Sequence, residues 1–353
     1  MKSSYRIKKG LPFKNLDITL IAAVLVFILF FVFGSLRFNN FMSARNFSNL
    51  FLDNAHLIIV TMAQTLVLIS GGIDLSCGAI MCFTVTLGCH LITNLGVPPI
   101  LVAVVMLLVG VAFGLLNGVL IAKLNFQPFI TTLITQFMAR GAGFLITLDT
   151  IAISEPTVVA LSKFKIKLGG FSITFGSIVA LCVVVVFVFL TKRCKLGRNV
   201  YALGGNQQSA VLMGIPVEKT KIQVYAIAGL TSGLAGIVFG LYMLASYGLY
   251  GESLHLDAIS ASVIGGALTT GGVGSIIGSL FGAMTYGTIK LLIMFQGSLN
   301  SGWTNLVIAC MLLVFIILQT SFVEQRKRKK ISKEVEFLNS TPQNSDQNTA
   351  KET

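Results

Sequence analysis

The chain has 353 residues, 54% of them hydrophobic and only 11% charged, with a mean hydropathy of +0.85. A soluble domain carries about 25% charged residues, so the composition excludes one and indicates an all-α polytopic membrane protein. The net charge of +13 would suggest nucleic acid in a soluble chain, but here the positive charge lies between apolar blocks.

In chain order, residues 1–16 form a basic leader with Lys2, Arg6, Lys8, Lys9 and Lys14. The first apolar block is of spanning length and lacks a small-residue cleavage site, so it reads as a span rather than a processed signal peptide. Ten spans are expected, at 17–35, 51–70, 78–95, 98–122, 126–148, 171–190, 222–245, 257–270, 274–296 and 302–320. Each is near the ~20 residues that a crossing needs. A basic loop, 191–221, separates the sixth span from the seventh, and a polar tail, 321–353, has the composition of a disordered segment. An even number of spans puts both termini on one side. Counted that way, the segments on the side of the termini hold nineteen Lys and Arg, and the opposite side holds five. The positive-inside rule therefore makes both termini and the 191–221 loop cytoplasmic. Arg140 and Lys290 fall within spans, near enough to their ends to snorkel.

Glycines repeat at four-residue spacing in Gly110, Gly114 and Gly118, in Gly229 and Gly233, in Gly236 and Gly240, and in Gly274, Gly278 and Gly282. Small residues so spaced let helix backbones approach closely in a membrane. They indicate a tight bundle and say nothing of cargo. Two stretches differ: Ser70-Gly71-Gly72-Ile73-Asp74-Leu75-Ser76, and Ile264-Gly265-Gly266 with Gly271-Gly272-Val273-Gly274. Double glycines beside spans read as broken helices, tolerated where they are buried in protein or line a cavity. Transporters place such breaks in corresponding halves, and GGIDLSCGAI is weakly like GGALTTGGVGSI. Asp74 either caps the following helix or belongs to a transport route.

The cytoplasmic loop carries Tyr201 to Pro216, YALGGNQQSAVLMGIP. Gly204 and Gly205 are expected to break the incoming chain, Asn206 to cap a two-turn helix over Gln207–Met213, and Gly214 and Pro216 to end it. So short a helix is not stable alone. Its apolar run Ala210, Val211, Leu212 and Met213 packs either on its own protein or in the groove of a soluble partner.

No phosphate-binding loop, zinc-protease motif or nucleophile elbow occurs, so the chain has no catalytic candidates and does not itself cradle ATP. Its six cysteines, Cys77, Cys82, Cys89, Cys182, Cys194 and Cys310, show no metal-ligand or disulfide spacing. Apart from Asp74, the span cores lack the acidic or histidine relays of ion-coupled carriers.

Four motifs together resemble the permease subunits of ribose/galactose-type ABC importers: Leu68-Ile69-Ser70-Gly71-Gly72-Ile73-Asp74-Leu75-Ser76, Tyr201-Ala202-Leu203-Gly204-Gly205-Asn206, Met213-Gly214-Ile215-Pro216, and Asp257-Ala258-Ile259-Ser260-Ala261-Ser262-Val263-Ile264-Gly265-Gly266. The resemblance runs in unbroken order over residues 17–320. Through Asp53-Asn54-Ala55 and Leu212-Met213-Gly214 it is most similar to the smaller permease of the galactofuranose importer. Cys77, where a small aliphatic is common, and the long polar tail depart from the pattern.

The resemblance implies a bacterial inner-membrane permease dimer of identical or homologous subunits, a periplasmic sugar-binding protein and a separate cytoplasmic ATPase that holds ATP and Mg. It implies that Asn206, Gln207, Gln208, Ala210, Val211, Leu212, Met213, Gly214 and Ile215 form the coupling helix seated in that ATPase. Transport would follow by alternating access, with Gln64, Asp74 and Asn117 as candidates for a polar sugar pathway. The rivals are an autonomous carrier of a small polar solute and a membrane enzyme acting on lipid-linked sugar; the second lacks a catalytic set.

Overall fold

The structure, a computed structural model, describes residues 16–298, 302–303 and 305–317. The basic leader, apart from its last residue, and the polar tail lie outside the described residues. The chain divides into residues 1–309 and 310–353, and the account below concerns the first unit. It is a helical bundle with two small two-stranded pieces.

The first span is α1 (Leu16–Arg37). The second is bent: α2 (Ala44–Asp53), capped by Ser43 Oγ on Asn46 N at 3.2 Å, meets α3 (Ala55–Ile69) at 56°. There follow α4 (Cys77–Thr93), α5 (Pro99–Ala122) and α6 (Pro128–Ile146), the last two opened by prolines in their first turns, where the missing N–H costs nothing. Strand β1 (Ile151–Ala152), α7 (Pro156–Lys163) and a hairpin of β2 (Lys165–Leu168) and β3 (Phe171–Thr174) lead to α8 (Phe175–Arg193). The hairpin turn is Gly169-Gly170, at φ +52° and +96°, which suits a two-residue turn of positive φ. Then come α9 (Lys195–Gly205), α10 (Gln207–Leu212), α11 (Val217–Met243), β4 (Ala245–Ser246) paired with β1, α12 (Leu254–Ile264) and α13 (Ile276–Gln296). The strands and α7 were not expected from the sequence.

Among the described residues, six helices are long and apolar enough to cross a membrane: α1, α5, α6, α8, α11 and α13. The bent α2–α3 pair makes a seventh crossing if it is one span. The other three expected spans fall on shorter apolar helices, α4, α12 and Asn305–Ile317. The expected eighth span, 257–270, is cut to Leu254–Ile264 because its glycines leave the helix.

The glycine stripes meet as pairs. On α5, an added Cβ at Gly110 or Gly114 would strike Gly229 O or Tyr225 O of α11, and one at Gly118 would lie 2.8 Å from Ile222 Cα. On α13, an added Cβ at Gly278 or Gly282 would strike Gly265 O or Ala261 O, on or just beyond α12. Helix α3 runs through the middle, with every residue from Leu57 to Ile69 buried. Arg140 of α6 does not snorkel. Its Nη1 donates to Gly248 O at 2.7 Å and Tyr250 O at 2.9 Å, because loop carbonyls within the bundle satisfy the guanidinium without a reach to the surface.

Candidate functional site

The first break begins where α3 ends. Gly71 takes φ +82° and donates to Leu68 O at 2.9 Å, while Gly72 N reaches back to Val67 O at 3.0 Å. This pair of bonds is the Schellman ending, which favours glycine at the left-handed position. The chain then runs without helix to Ser76, held from three sides. Asp74 Oδ1 accepts from Ser76 N at 2.8 Å and from Ser76 Oγ at 2.6 Å. Asn117 of α5 donates from Nδ2 to Ser76 Oγ at 3.1 Å, and Thr135 of α6 donates to Asn117 Oδ1 at 2.5 Å. Tyr225 of α11 donates to Ile73 O at 3.3 Å. Asp74, Ser76, Asn117 and Thr135 are each at most 2% exposed.

Two of the three pathway candidates, Asp74 and Asn117, thus share one buried network that stiffens the break. Gln64 stands apart on α3, 2% exposed, its Nε2 without a hydrogen-bond partner among the described residues. Neither Thr135 nor Tyr225 was legible as a member of this network. A threonine and a tyrosine within apolar runs carry no signal of which neighbour they meet.

The second break repeats the first. After α12, Gly266 takes φ +93° and donates to Val263 O at 2.9 Å, and Ala267 N reaches Ser262 O at 2.9 Å. The bonding pattern aligns Gly71 with Gly266, one residue out of the register in which the sequences look alike. The two broken helices also touch side to side, with Thr65 Oγ1 donating to Ser262 Oγ at 2.9 Å.

The glycines at the end of α9 close this arrangement. Gly204 and Gly205 do not break the chain as expected; they form the last turn of α9. The smallness of Gly204 serves contact. An added Cβ at Gly204 would collide with Ile69 O and come within 2.5 Å of Gly272 N. At Gly272 it would lie 2.8 Å from Gly205 Cα, and at Gly271 2.9 Å from both Gly204 O and Gly71 Cα. Gly272 N donates to Ile69 O at 2.8 Å, and Tyr201 OH of α9 donates to Gly274 O at 2.8 Å. Three backbone segments, one from each break and one from α9, therefore meet in a seam that leaves no room for a side chain at Gly204, Gly271 or Gly272.

Helix α10 leaves this seam directly. Asn206 Oδ1 accepts from Ser209 N at 2.8 Å, the expected cap. Gly214 at φ +75° donates to Val211 O at 2.9 Å, and Ile215 N reaches Ala210 O at 3.0 Å, so this helix too has a Schellman ending. Gln207, Gln208, Val211, Leu212 and Met213 are exposed, Leu212 at 88%. Ala210 departs from the expected partner-facing strip. It is fully buried, because it points back at its own chain while the following three residues turn outward.

A family model described as "Branched-chain amino acid transport system / permease component" matches residues 46–317. The chain is 40% identical over 314 residues to the inner membrane ABC transporter permease protein YjfF of Escherichia coli, covering 89% of this chain and 93% of that one. The chain belongs to this family of ABC transporter permeases. It is also 38% identical to the fructose import permease FruG of Bifidobacterium longum, over 92% of this chain and 96% of the relative. To the ribose import permease RbsC of Bacillus subtilis it is 33% identical, over 71% and 77%. No solved structure matches significantly. The family match takes in both breaks and the α9–α10 loop, so the seam is built within the permease domain.

Asp74 tests how the permease uses its first break. Its Oδ1 accepts two hydrogen bonds, and the amide oxygen of Asn accepts the same two. Asp74→Asn is expected to keep insertion, thermal stability in detergent and solute uptake. Asp74→Ala leaves Ser76 N unpaired in a buried site, at a cost of about 1–3 kcal/mol, and should lower the midpoint of detergent unfolding. Loss of uptake by a well-folded Asn variant would instead give the charge a role in transport.

Proposed function

We propose that this permease is one of two membrane subunits, identical or homologous, that carry a monosaccharide across the bacterial inner membrane. A cytoplasmic ATPase drives it and a periplasmic binding protein supplies it. The observation that carries the reading is α10. A six-residue helix, capped at both ends, offers Val211, Leu212 and Met213 at 56%, 88% and 66% exposure next to a seam that touches both broken helices. Three adjoining exposed apolar side chains on a loop rich in Lys and Arg favour a protein groove as their destination. Nucleotide chemistry belongs to the partner. Movement of α10 would pass through Gly204 and Gly205 to the ends of α3 and α12 and rock them, giving alternating access.

In this reading there are ten crossings, with α4, α12 and Asn305–Ile317 completed by the chain that flanks them. Nineteen basic residues against five put α9, α10 and both termini in the cytoplasm. Relatives named for fructose and ribose import favour a sugar over a branched-chain amino acid. Galactofuranose remains the narrower proposal, carried by Asp53-Asn54-Ala55 and Leu212-Met213-Gly214. Asp74, Asn117 and Gln64 are proposed to border the pathway, the first two by shaping the break beside it.

Reconstitution tests the function. The permease alone in liposomes is expected to move no sugar, and the complex with its ATPase and binding protein is expected to import one when ATP is supplied. Uptake by the permease alone would overturn the proposal. Orientation is tested at Cys194, partly exposed just before α9. With the other cysteines replaced, a membrane-impermeant thiol reagent should label it in inverted vesicles and spare it in spheroplasts. Labelling from outside would reverse the topology.

A further inference from the structure

The end of the bundle opposite α9 and α10 carries charges that the coupling seam does not use. Helix α3 runs from this end to Ile69 at the seam, and α11 runs to it from the cytoplasmic loop. Asp53 closes α2 at the 56° bend, and Tyr242 of α11 donates to its Oδ1 at 3.1 Å. Asp257, in the first turn of α12, accepts at Oδ2 from Tyr286 of α13 at 3.0 Å and from Ser253 at 3.5 Å. Lys290 stands four residues beyond Tyr286, on the same face of α13. It is exposed. An added Cβ at Gly287, between Tyr286 and Lys290, would strike the side-chain amide of Asn54, so this turn of α13 packs on the α2–α3 bend beside Asp53. The His56 ring lies edge-on to Phe239 at 4.8 Å.

The sequence does not single out this cluster. Besides Asp74 in the first break, two further carboxylates stand at helix ends within the expected spans, Asp53 at the end of α2 and Asp257 in the first turn of α12. Ionisable groups within spans are costly and characteristically mark a polar route. Each carboxylate has one oxygen engaged by a tyrosine; Asp53 Oδ2 and Asp257 Oδ1 make no hydrogen bond among the described residues.

We propose that Asp53, His56, Tyr242, Asp257, Tyr286 and Lys290 form a subsite that receives a neutral sugar ring at the outer mouth of the permease. This rests on the sugar-permease reading above. A sugar offers hydroxyl donors to the two free carboxylate oxygens and oxygen acceptors to the single ammonium. Its C–H face suits the flat rings beside them. A leucine-like zwitterion could pair its two charges here, but it offers no hydroxyls along its length and its aliphatic tail meets polar groups.

The test uses the complete complex in proteoliposomes with labelled galactofuranose, ribose, fructose, allose, arabinose and leucine. ATP hydrolysis and label imported are measured together for the parent, Asp53→Asn, Asp257→Asn and Lys290→Gln. Hydrolysis stimulated by the loaded binding protein is expected to stay within about twofold of the parent. Sugar moved per ATP is expected to fall about tenfold or more in the Asn variants, the strength of a hydrogen bond to a charged group. A structural role would depress both together, and that result overturns the subsite, as does an unchanged ratio. Should the Asn variants not assemble, Tyr242→Phe and Tyr286→Phe read the same ratio, and a parental value in both overturns it too. Import of leucine and no sugar by the parent refutes the sugar class; a parent that imports nothing refutes the sugar-import function proposed above, whatever the variants do.

Discussion

One added methyl group at Gly204 is expected to abolish transport, whereas the same change at Gly205 is expected to be tolerated. At Gly204 the new Cβ collides with Ile69 O and approaches Gly272 N to 2.5 Å. Both are backbone atoms, and the same two are joined by the 2.8 Å hydrogen bond that ties the second break to α3. No side-chain rotation relieves that contact, so α9 must back away or the bond must open. Overpacking of this kind costs about 1–3 kcal/mol, and losing the buried bond adds about 1–3 kcal/mol more. At Gly205 nothing lies within 4 Å of an added Cβ, and an alanine improves the last turn of α9 by up to about 1 kcal/mol. Uptake by the reconstituted complex and monodispersity in detergent separate the two. Gly204→Ala should lose uptake and unfold at lower temperature; Gly205→Ala should match the parent. Parental uptake with Gly204→Ala would show that the seam does not transmit motion.

The same glycine pair shows where sequence reasoning stops. The spans, the caps at Asn206 and Gly214, and the existence of two breaks were legible because each depends on residues within a turn or two of one another. Double glycine carries two physical meanings, weak helix propensity and room for a neighbouring backbone, and the letters alone do not choose between them. Gly71 and Gly214 serve the first, at φ +82° and +75°. Gly204 serves the second, and its partners Ile69 and Gly272 lie far off in the chain. The network of Asp74 illustrates the same limit. Its bonds to Ser76 are local and close a turn just ahead of α4 rather than capping that helix, but the support from Asn117, Thr135 and Tyr225 comes from three other helices. Distance in sequence also hid the bonds of Asp53 to Tyr242 and of Asp257 to Tyr286, since each aspartate alone looks like an ordinary helix end. The crossing number was blurred for a related reason. Glycines that end α3 and α12 early leave apolar chain outside the helices, so length and hydropathy find six or seven spans where the apolar blocks number ten.

Helix α10 gives the second large effect, and burial decides which substitution tests it. Leu212 is 88% exposed at the tip of α10, and Ala210 is fully buried against its own chain. Leu212→Glu therefore leaves the permease intact and places a carboxylate in whatever groove receives α10. Burying an unpaired charge costs several kcal/mol, and each ~1.4 kcal/mol is a factor of ten in affinity, so docking should weaken by at least about a hundredfold. The variant should reach the membrane in normal amounts, unfold at the parental temperature, and lose both co-purifying ATPase and sugar uptake. Ala210→Glu should behave differently. Its carboxylate is forced beneath α10, inside the permease, so the purified subunit should itself be destabilised even without a partner present. Equal stability of the two variants would mean that Ala210 does not pack as described. If Leu212→Glu keeps the ATPase bound and imports sugar at the parental rate, α10 is not the coupling element, because an exposed apolar tip that tolerates a buried charge is not buried in anything.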